Sequence, residues 1–268
     1  MPPGEASAPP GEVSALLDGV RASAARFGAA VGHLSDAQAR GPSRLPGWSR
    51  AHLVTHVARS ADVYHWLLEL ARTGTEPGPR ADAPTLDRLL REGAGRDAAA
   101  LGADLRESLD RLVEEATAGP AERWPVLVTA LAGWRHPAWY VLCRAQRELE
   151  VHLVDLGVGH PAARWPADFV GRELDEASAA LGARRFPLAG MHATDLGRTW
   201  RPAEAEPEPE PEPEAGPQTG PQAGTVVSAP GHALLGWLAG RVPPERLQST
   251  GPLPVPPRWP LPPAPGWG

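Results

Sequence analysis

Three residues of this chain have the types and the spacing of a metal-binding site: His56, Glu148 and His152. Glu148 and His152 are four residues apart in R-E-L-E-V-H-L-V-D-L, which on a helix places both side chains on one face, one turn apart. His56 lies in another segment predicted to be helical, W-S-R-A-H-L-V-T-H-V-A-R. Two imidazoles and one carboxylate are a common ligand set for catalytic zinc, with a further position for water or substrate. If the two helices face each other, the chain builds a metal site inside a helical bundle.

Each of these patterns also has a simpler interpretation. A Glu-x-x-x-His pair on a helix is more often a pair of surface neighbours, whose interaction contributes about 0.3 kcal/mol. His52 shares a helix face with His56 and is either a further ligand or an ordinary histidine at the surface or the mouth of the site. Because four protein ligands would close a zinc site, we keep His52 only as a candidate for contacting the ligands or the substrate.

Two further carboxylates lie near Glu148 and His152. Asp155 follows His152 by three residues and is a candidate acceptor for the second N–H of that imidazole, which metal-bound histidines usually donate to a carboxylate or carbonyl. Glu150 lies two residues from both Glu148 and His152, so on a helix it points away from them. We therefore expect Glu150 to be solvated or salt-bridged.

The elements that hold these residues follow from the hydrophobic periodicity. Apolar residues recur at helical spacing in four segments and predict helices over residues 12–40, 49–74, 85–118 and 137–156. Ser49 is a good N-cap for the second of these helices, Gly93 and Gly95 are candidate breaks in the third, and Pro137 suits the first turn of the fourth. Long helices with short connections predict a bundle over residues 12–160.

The character of the chain changes after Pro161. Residues 166–184 predict one more helix, residues 185–200 predict strands joined by a turn, and T-V-V-S predicts a short strand before a helix in G-H-A-L-L-G-W-L-A-G-R. These elements predict a small α+β domain over residues 161–259. Within it, residues 202–224 form a Pro- and Glu-rich insert that we expect to be disordered. We also expect disorder in residues 1–11, and residues 260–268 form a Pro-rich tail.

Composition excludes several classes of protein. The chain has 268 residues, of which 42% are hydrophobic, enough for a real core, and its net charge is −6. It has no basic stretch interleaved with aromatic residues, so we expect no nucleic-acid binding, and its apolar runs are too short to span a membrane. The single cysteine, Cys143, has no neighbouring histidine and predicts a buried, inert thiol without a disulfide. With no secretory signal at its start, the chain is expected to be cytoplasmic, and a monomer is favoured.

Three segments resemble the mycothiol-dependent maleylpyruvate isomerase family. They are L-P-G-W-S-R-A-H-L-V-T-H-V-A-R-S-A-D, R-E-L-E-V-H-L-V-D-L-G and A-L-L-G-W-L-A-G-R, and the resemblance extends over residues 12–259 outside the insert. It implies a DinB-like four-helix bundle that binds a divalent metal, usually zinc, followed by a small α+β C-terminal domain. The family's three metal ligands fall on His56, Glu148 and His152. Its C-terminal arginine, which is important for activity, falls on Arg241.

The resemblance implies a metal-dependent enzyme that uses the low-molecular-weight thiol mycothiol as a cofactor. Zinc would lower the pKa of the thiol, and the thiolate would add to the cis double bond of maleylpyruvate or of a related small electrophile. Rotation and elimination would then give the trans isomer, while Arg241 would hold a substrate carboxylate. From the residues alone, Arg241 is as readily a cation at a helix end. Two alternatives stay open: a mycothiol S-transferase that detoxifies electrophiles, and a non-catalytic metal-binding regulatory module.

Overall fold

The structure, a computed structural model, describes residues 10–202 and 224–260. The chain forms two compact units, and the boundary between them follows His160. Several segments with sequence-based expectations of disorder or irregular structure lie outside the described residues: 1–9 at the N-terminus, 203–223 of the Pro- and Glu-rich insert, and 261–268 of the tail. Pro10 and Gly11, expected to be disordered, instead begin the first helix.

The N-terminal unit is a four-helix bundle with shorter elements between its long helices. Its helices are α1 (Pro10–Gly32), α2 (Asp36–Arg40), α3 (Arg50–Thr73), α4 (Ala83–Gly93), α5 (Ala98–Ala118) and α6 (Tyr140–Asp155). Helix α1 packs against α5 and α6, and α3 packs against the same two helices. The apolar face predicted for the second helix is buried, with Leu53, Leu67 and Leu68 fully excluded from solvent. Since buried apolar surface contributes about 25 cal/mol per Å², these faces are the main stabilising feature of the bundle.

The first predicted helix, over residues 12–40, is in fact two helices. Helix α1 ends at Gly32, and Ser35 caps the start of α2. The Ser35 hydroxyl accepts a hydrogen bond from the Gln38 backbone N–H, and the Gln38 side chain accepts one from the Ser35 backbone N–H. This reciprocal capping satisfies two donors at a helix start. The signal lies in S-D-A-Q, but apolar periodicity alone does not reveal it.

The next two helical regions follow the prediction. Ser49 caps α3, and Gly74 ends it with a φ of 69°, a left-handed conformation that glycine adopts without strain. The third region breaks after Gly93, and α5 begins at a new cap, where the Asp97 carboxylate accepts a hydrogen bond from the Ala100 backbone N–H.

The fourth helix begins later than predicted. Helix α6 starts at Tyr140, and Pro137 belongs instead to β2 (Arg135–Pro137), which pairs antiparallel with β1 (Leu127–Thr129). Strands of three residues are too short to be detected from alternation in the sequence. The hairpin matters for the site because it buries His136, which lies opposite Val128.

The C-terminal unit is a small sheet with two helices. Its elements are α7 (Ala167–Gly182), β3 (Gly190–Ala193), β4 (Arg198–Trp200), β5 (Val226–Ala229), α8 (Gly231–Leu238) and β6 (Gln248–Ser249). The strand order is β4-β3-β5-β6, with β3 parallel to β5 and the other neighbours antiparallel. Helix α8 packs against β3, β5 and α7. A helical bundle followed by this unit confirms the predicted α+β class, although the sequence does not predict β6.

Candidate metal centre

Helix α3 carries His56 and begins at a cap built by its own first turn. The Ser49 hydroxyl accepts a hydrogen bond from the His52 backbone N–H at 3.2 Å, and Nδ1 of His52 accepts one from the Ser49 backbone N–H at 3.3 Å. The Trp48 ring packs edge-on against the His56 ring, with 5.3 Å between centroids. Residues 48–52 therefore orient the start of the helix that presents His56 one turn later.

Helix α6 carries Glu148 and His152 on one face, as their spacing predicts. It packs against α3, and the two residues meet His56 there. Nε2 of His56 and Nε2 of His152 each lie 3.2 Å from the same atom, Oε2 of Glu148. Each of the three residues offers one ligand atom, and these atoms all lie within 4.8 Å of one another.

This arrangement fits a zinc-sized cation. Ligand atoms bound tetrahedrally at about 2.0–2.1 Å lie roughly 3.3 Å apart, close to the 3.2 Å that separates each imidazole Nε2 from the Glu148 carboxylate oxygen. Two imidazole nitrogens and one carboxylate oxygen also form a donor set that suits zinc and other divalent transition metals. Among the described residues, this is the one group of three or more potential ligands with such convergence.

Burial and hydrogen bonding set the pKa values of Glu148 and His152. Burial raises the pKa of Glu148, but hydrogen bonds to His152 and His56 outweigh it and hold that pKa well below its usual range. Burial lowers the pKa of His152, but hydrogen bonds to Asp155 and Glu148 outweigh it and raise the pKa to about 9. In the metal-free protein at neutral pH, Glu148 is therefore ionised and faces an imidazolium, so the cluster already holds positive charge beside the carboxylate.

Asp155 occupies the position that the sequence predicts for it. Its Oδ2 lies 2.9 Å from Nδ1 of His152, and the carboxylate is buried. A carboxylate acceptor requires Nδ1 to carry the proton that it donates, so Nε2 is the nitrogen that faces Glu148. The Asp155 backbone carbonyl also accepts a hydrogen bond from the Arg44 N–H at 2.8 Å, which anchors this end of α6.

The structure assigns different surroundings to the other candidates in the bundle. His52 belongs to the cap of α3 and lies outside the cluster of potential ligands. Glu150 points away from His152 and forms an ion pair with Arg26, as expected, and its carboxylate is fully buried. Cys143 is buried, as the sequence predicts.

Arg241 lies in the C-terminal unit, three residues beyond the end of α8. Its guanidinium donates a hydrogen bond to the Ala239 carbonyl, and its backbone N–H donates one to the Gly236 carbonyl at 2.7 Å. These two hydrogen bonds place Arg241 at the C-terminal end of α8, where a cation interacts favourably with the helix dipole.

The site also includes Tyr64, which the pattern of potential metal ligands in the sequence does not reveal. Its hydroxyl donates a hydrogen bond to Oε1 of Glu148 at 3.4 Å, while Oε2 faces the two histidines. Burial, followed by the charge of Glu148, raises the pKa of Tyr64 above its usual range, so this hydroxyl keeps its proton. Its spacing of eight residues from His56 puts both side chains near one face of α3 and was an available signal.

Comparisons with known proteins cover both units. The family described as "Mycothiol maleylpyruvate isomerase N-terminal domain" matches residues 20–157, and "MDMPI C-terminal domain" matches residues 164–258. The chain is similar in structure to the crystal structure of the mycothiol-dependent maleylpyruvate isomerase, with a TM-score of 0.77 and 23% identity, covering 92% of this chain and 97% of that one. A histidine-to-alanine mutant of that isomerase gives a TM-score of 0.76 and 22% identity over the same shares of both chains. At this identity the likeness establishes the fold.

No curated protein matches the chain. Among the described residues, no helix is long and apolar enough to cross a membrane. The family matches together span most of both units, and the three sequence motifs, the bundle and the α+β unit agree with them. The chain therefore belongs to the mycothiol-dependent maleylpyruvate isomerase family, a family of thiol-dependent enzymes.

Proposed function

We propose that this protein is a metal-dependent enzyme that uses mycothiol to isomerise a small unsaturated acid from cis to trans, as the name of its family indicates for maleylpyruvate. The observation that carries the proposal is the convergence of His56, Glu148 and His152 within 4.8 Å at the contact of α3 and α6. Family membership supports the thiol and the substrate class, and the donor set supports the metal.

The three converging residues would hold the metal, and their neighbours would keep them in place. Asp155 fixes the ring of His152 with Nε2 toward Glu148, and Tyr64 binds the carboxylate oxygen of Glu148 that faces away from the histidines. Such contacts to ligands set their orientation and basicity. The metal of the proposal is zinc, which the two nitrogens and one oxygen suit.

The chemistry of the proposed reaction needs a thiolate at neutral pH. A bound divalent metal would supply it by lowering the pKa of the mycothiol thiol. The thiolate adds to one carbon of the cis double bond and a proton adds to the other; the resulting single bond rotates, and loss of the proton and the thiolate restores the double bond as trans. Cys143 is buried and takes no part. Arg241 would bind a substrate carboxylate, for which the guanidinium fork is suited.

The proposal is tested by the metal content and by the thiol-dependent activity of purified protein. We expect about one zinc per chain in the wild type and mycothiol-dependent isomerisation of maleylpyruvate. His56→Ala should lose both, because it removes one of three ligands. His65→Ala is the matched control, since His65 lies on the same helix outside the cluster and contacts Glu69 at 4.0 Å.

The outcomes also separate the alternatives. Conjugation of mycothiol to electrophiles without isomerisation would identify a mycothiol S-transferase at the same site. Zinc binding without any use of mycothiol would favour the regulatory module. Wild-type protein that binds no zinc after loading and removal of excess metal would overturn the metal proposal.

A further inference from the structure

Two arginines near the triad of His56, Glu148 and His152 lack the acidic ion-pair partners that many arginines of the bundle have. Arg144 lies one turn before Glu148 on α6, and Arg80 lies in the connection between α3 and α4. Among the described residues, neither has a carboxylate oxygen within the 4.0 Å of an ion pair. Arg59 and Arg111 of the same bundle, by contrast, each bind an aspartate.

Aromatic rings and a neutral histidine hold the Arg144 guanidinium in place. It lies 5.0 Å from the centre of the Tyr64 ring and 5.1 Å from that of Trp134. Its Nη1 donates to Nε2 of His136 at 3.3 Å. Burial, partly offset by a hydrogen bond to the Pro137 carbonyl, lowers the pKa of His136 to about 4, so this histidine accepts the hydrogen bond without a charge of its own. These contacts orient Arg144 without placing a negative charge against it. Because a guanidinium has five N–H donors, some of them are available to a ligand.

Arg80 adds a second cation with unused donors. Its Nη1 donates to the Thr129 carbonyl at 2.7 Å, and its guanidinium lies 5.4 Å from the centre of the Trp66 ring. Its Nε and Nη2 are buried and have no hydrogen-bond partner among the described residues. Burial, and then the charge of Arg144, lower the pKa of Arg80, and the charge of Glu76 partly offsets them. A buried donor left unsatisfied destabilises the fold, and an anionic ligand would supply the missing acceptor.

The position of this pair connects it to the triad. Residues four apart on a helix are neighbours, about 5–6 Å apart at Cβ, so Arg144 stands one turn from Glu148. The Tyr64 side chain lies between Arg144 and Glu148, because its ring packs against the Arg144 guanidinium and its hydroxyl donates a hydrogen bond to Glu148. A ligand anion bound by Arg144 would therefore lie within a few ångströms of the triad.

We infer that Arg144 and Arg80 form a binding site for a carboxylate of the small-molecule substrate, beside His56, Glu148 and His152. The inference rests on the proposed function for the identity of the substrate. Nε and Nη2 of one guanidinium form the edge that binds both oxygens of a carboxylate, and Arg is suited to such paired hydrogen bonds. Arg144 is then a specificity-determining residue that orients the double bond of an acid substrate toward the triad.

The test compares Arg144→Gln with Arg144→Lys and with the control Arg91→Gln. Arg91 is exposed on α4 and binds Asp87. In zinc-loaded protein, we expect Arg144→Gln to weaken the binding of maleate, measured by calorimetry, by about tenfold or more and to raise KM for maleylpyruvate by a similar factor, with less change in kcat. Arg144→Lys should retain part of the affinity, and Arg91→Gln all of it. The uncharged dimethyl maleate should react with mycothiol equally in all variants.

The results are read together with the zinc content of each variant. Arg144→Gln with wild-type zinc content, maleate affinity and KM would overturn the inference while leaving the proposed function intact. A wild type that binds maleate through Arg144 but shows no mycothiol-dependent turnover would refute the proposed function and leave the anion site standing. If Arg144→Gln fails to hold zinc, Arg144→Lys decides: weakened maleate binding supports the inference, and unchanged binding overturns it.

Discussion

Oδ2 of Asp155 lies 2.9 Å from Nδ1 of His152, three residues away on the same stretch of chain. This contact determines which imidazole nitrogen faces Glu148, because a carboxylate can only accept a hydrogen bond and Nδ1 must donate it. It also contributes to the raised pKa of His152. One local ion pair thus controls both the orientation and the basicity of a proposed metal ligand.

Asp155→Asn should weaken zinc binding by about 10- to 100-fold, since the amide cannot supply the charge that supports the imidazole. Competition with a chelator of known affinity measures the change. Asp110→Asn, which alters an exposed carboxylate on α5, should leave zinc affinity unchanged. Equal affinities of Asp155→Asn and the wild type would show that the contact does not support the metal.

Zinc binding should release a proton near neutral pH. The pKa of His152 is raised to about 9 in the metal-free protein, while that of Glu148 is held low, so at pH 7 the metal displaces about one proton, that of His152. Apparent zinc affinity should therefore rise about tenfold per pH unit above pH 7 and level off near pH 9. Calorimetry in buffers of different ionisation enthalpy counts the protons released. An affinity independent of pH between 7 and 8.5 would contradict this role for His152.

His136 should make the fold less stable in mild acid. Its pKa is lowered to about 4, first by burial, whereas in the unfolded chain it is about 6.5. As pH falls below about 6.5, the unfolded chain binds this proton and the folded chain does not, so the free energy of unfolding decreases. Between about pH 7 and pH 5 this contribution falls by roughly 2 kcal/mol.

His136→Gln removes the titrating group and keeps a side-chain acceptor for Arg144. Urea denaturation of the metal-free wild type and variant at both pH values isolates the contribution, because the other titrating groups are common to the two proteins. The wild type should lose about 2 kcal/mol more than the variant over this interval. Parallel pH dependences would show that His136 is protonated as readily in the folded chain as in the unfolded one.

Glu150 should be important for stability and unimportant for metal binding. Its carboxylate is fully buried, forms an ion pair with Arg26 and accepts a hydrogen bond from the Ser23 hydroxyl at 2.5 Å. Removing a buried, hydrogen-bonded carboxylate whose arginine partner is part-exposed costs about 1–3 kcal/mol, so Glu150→Ala should lower the free energy of unfolding by that order. The exposed pair of Glu107 with Arg111 is the control, and Glu107→Ala should cost less than about 1 kcal/mol.

Denaturation curves measure both losses, and zinc titration should give the wild-type result for Glu150→Ala, since its side chain points away from the triad. A loss of zinc binding in a folded Glu150→Ala protein would mean that the network with Arg26 also positions Glu148 and His152.

The sequence alone determined the proposed ligands and the elements that carry them. Glu148 and His152 lie together because they are one helical turn apart. Asp155 lies against His152 because it follows three residues later, about one further turn along. The cap at Ser49 and the break after Gly93 likewise depend on interactions between residues close in sequence. Such features need only the periodicity of a single helix and its ends, which is why they were predictable.

Tertiary structure decided which side chains meet across elements. Three relationships join residues from separate segments: the contact of Tyr64 with Glu148, the burial of His136 within a short hairpin, and the placement of Arg144 between Tyr64 and Trp134. The burial of Glu150 with Arg26 depends in the same way on the packing of α1 against α6. These relationships depend on which helix faces pack together. That packing is a property of the whole core, because apolar contacts are non-directional and the local sequence does not specify their partners.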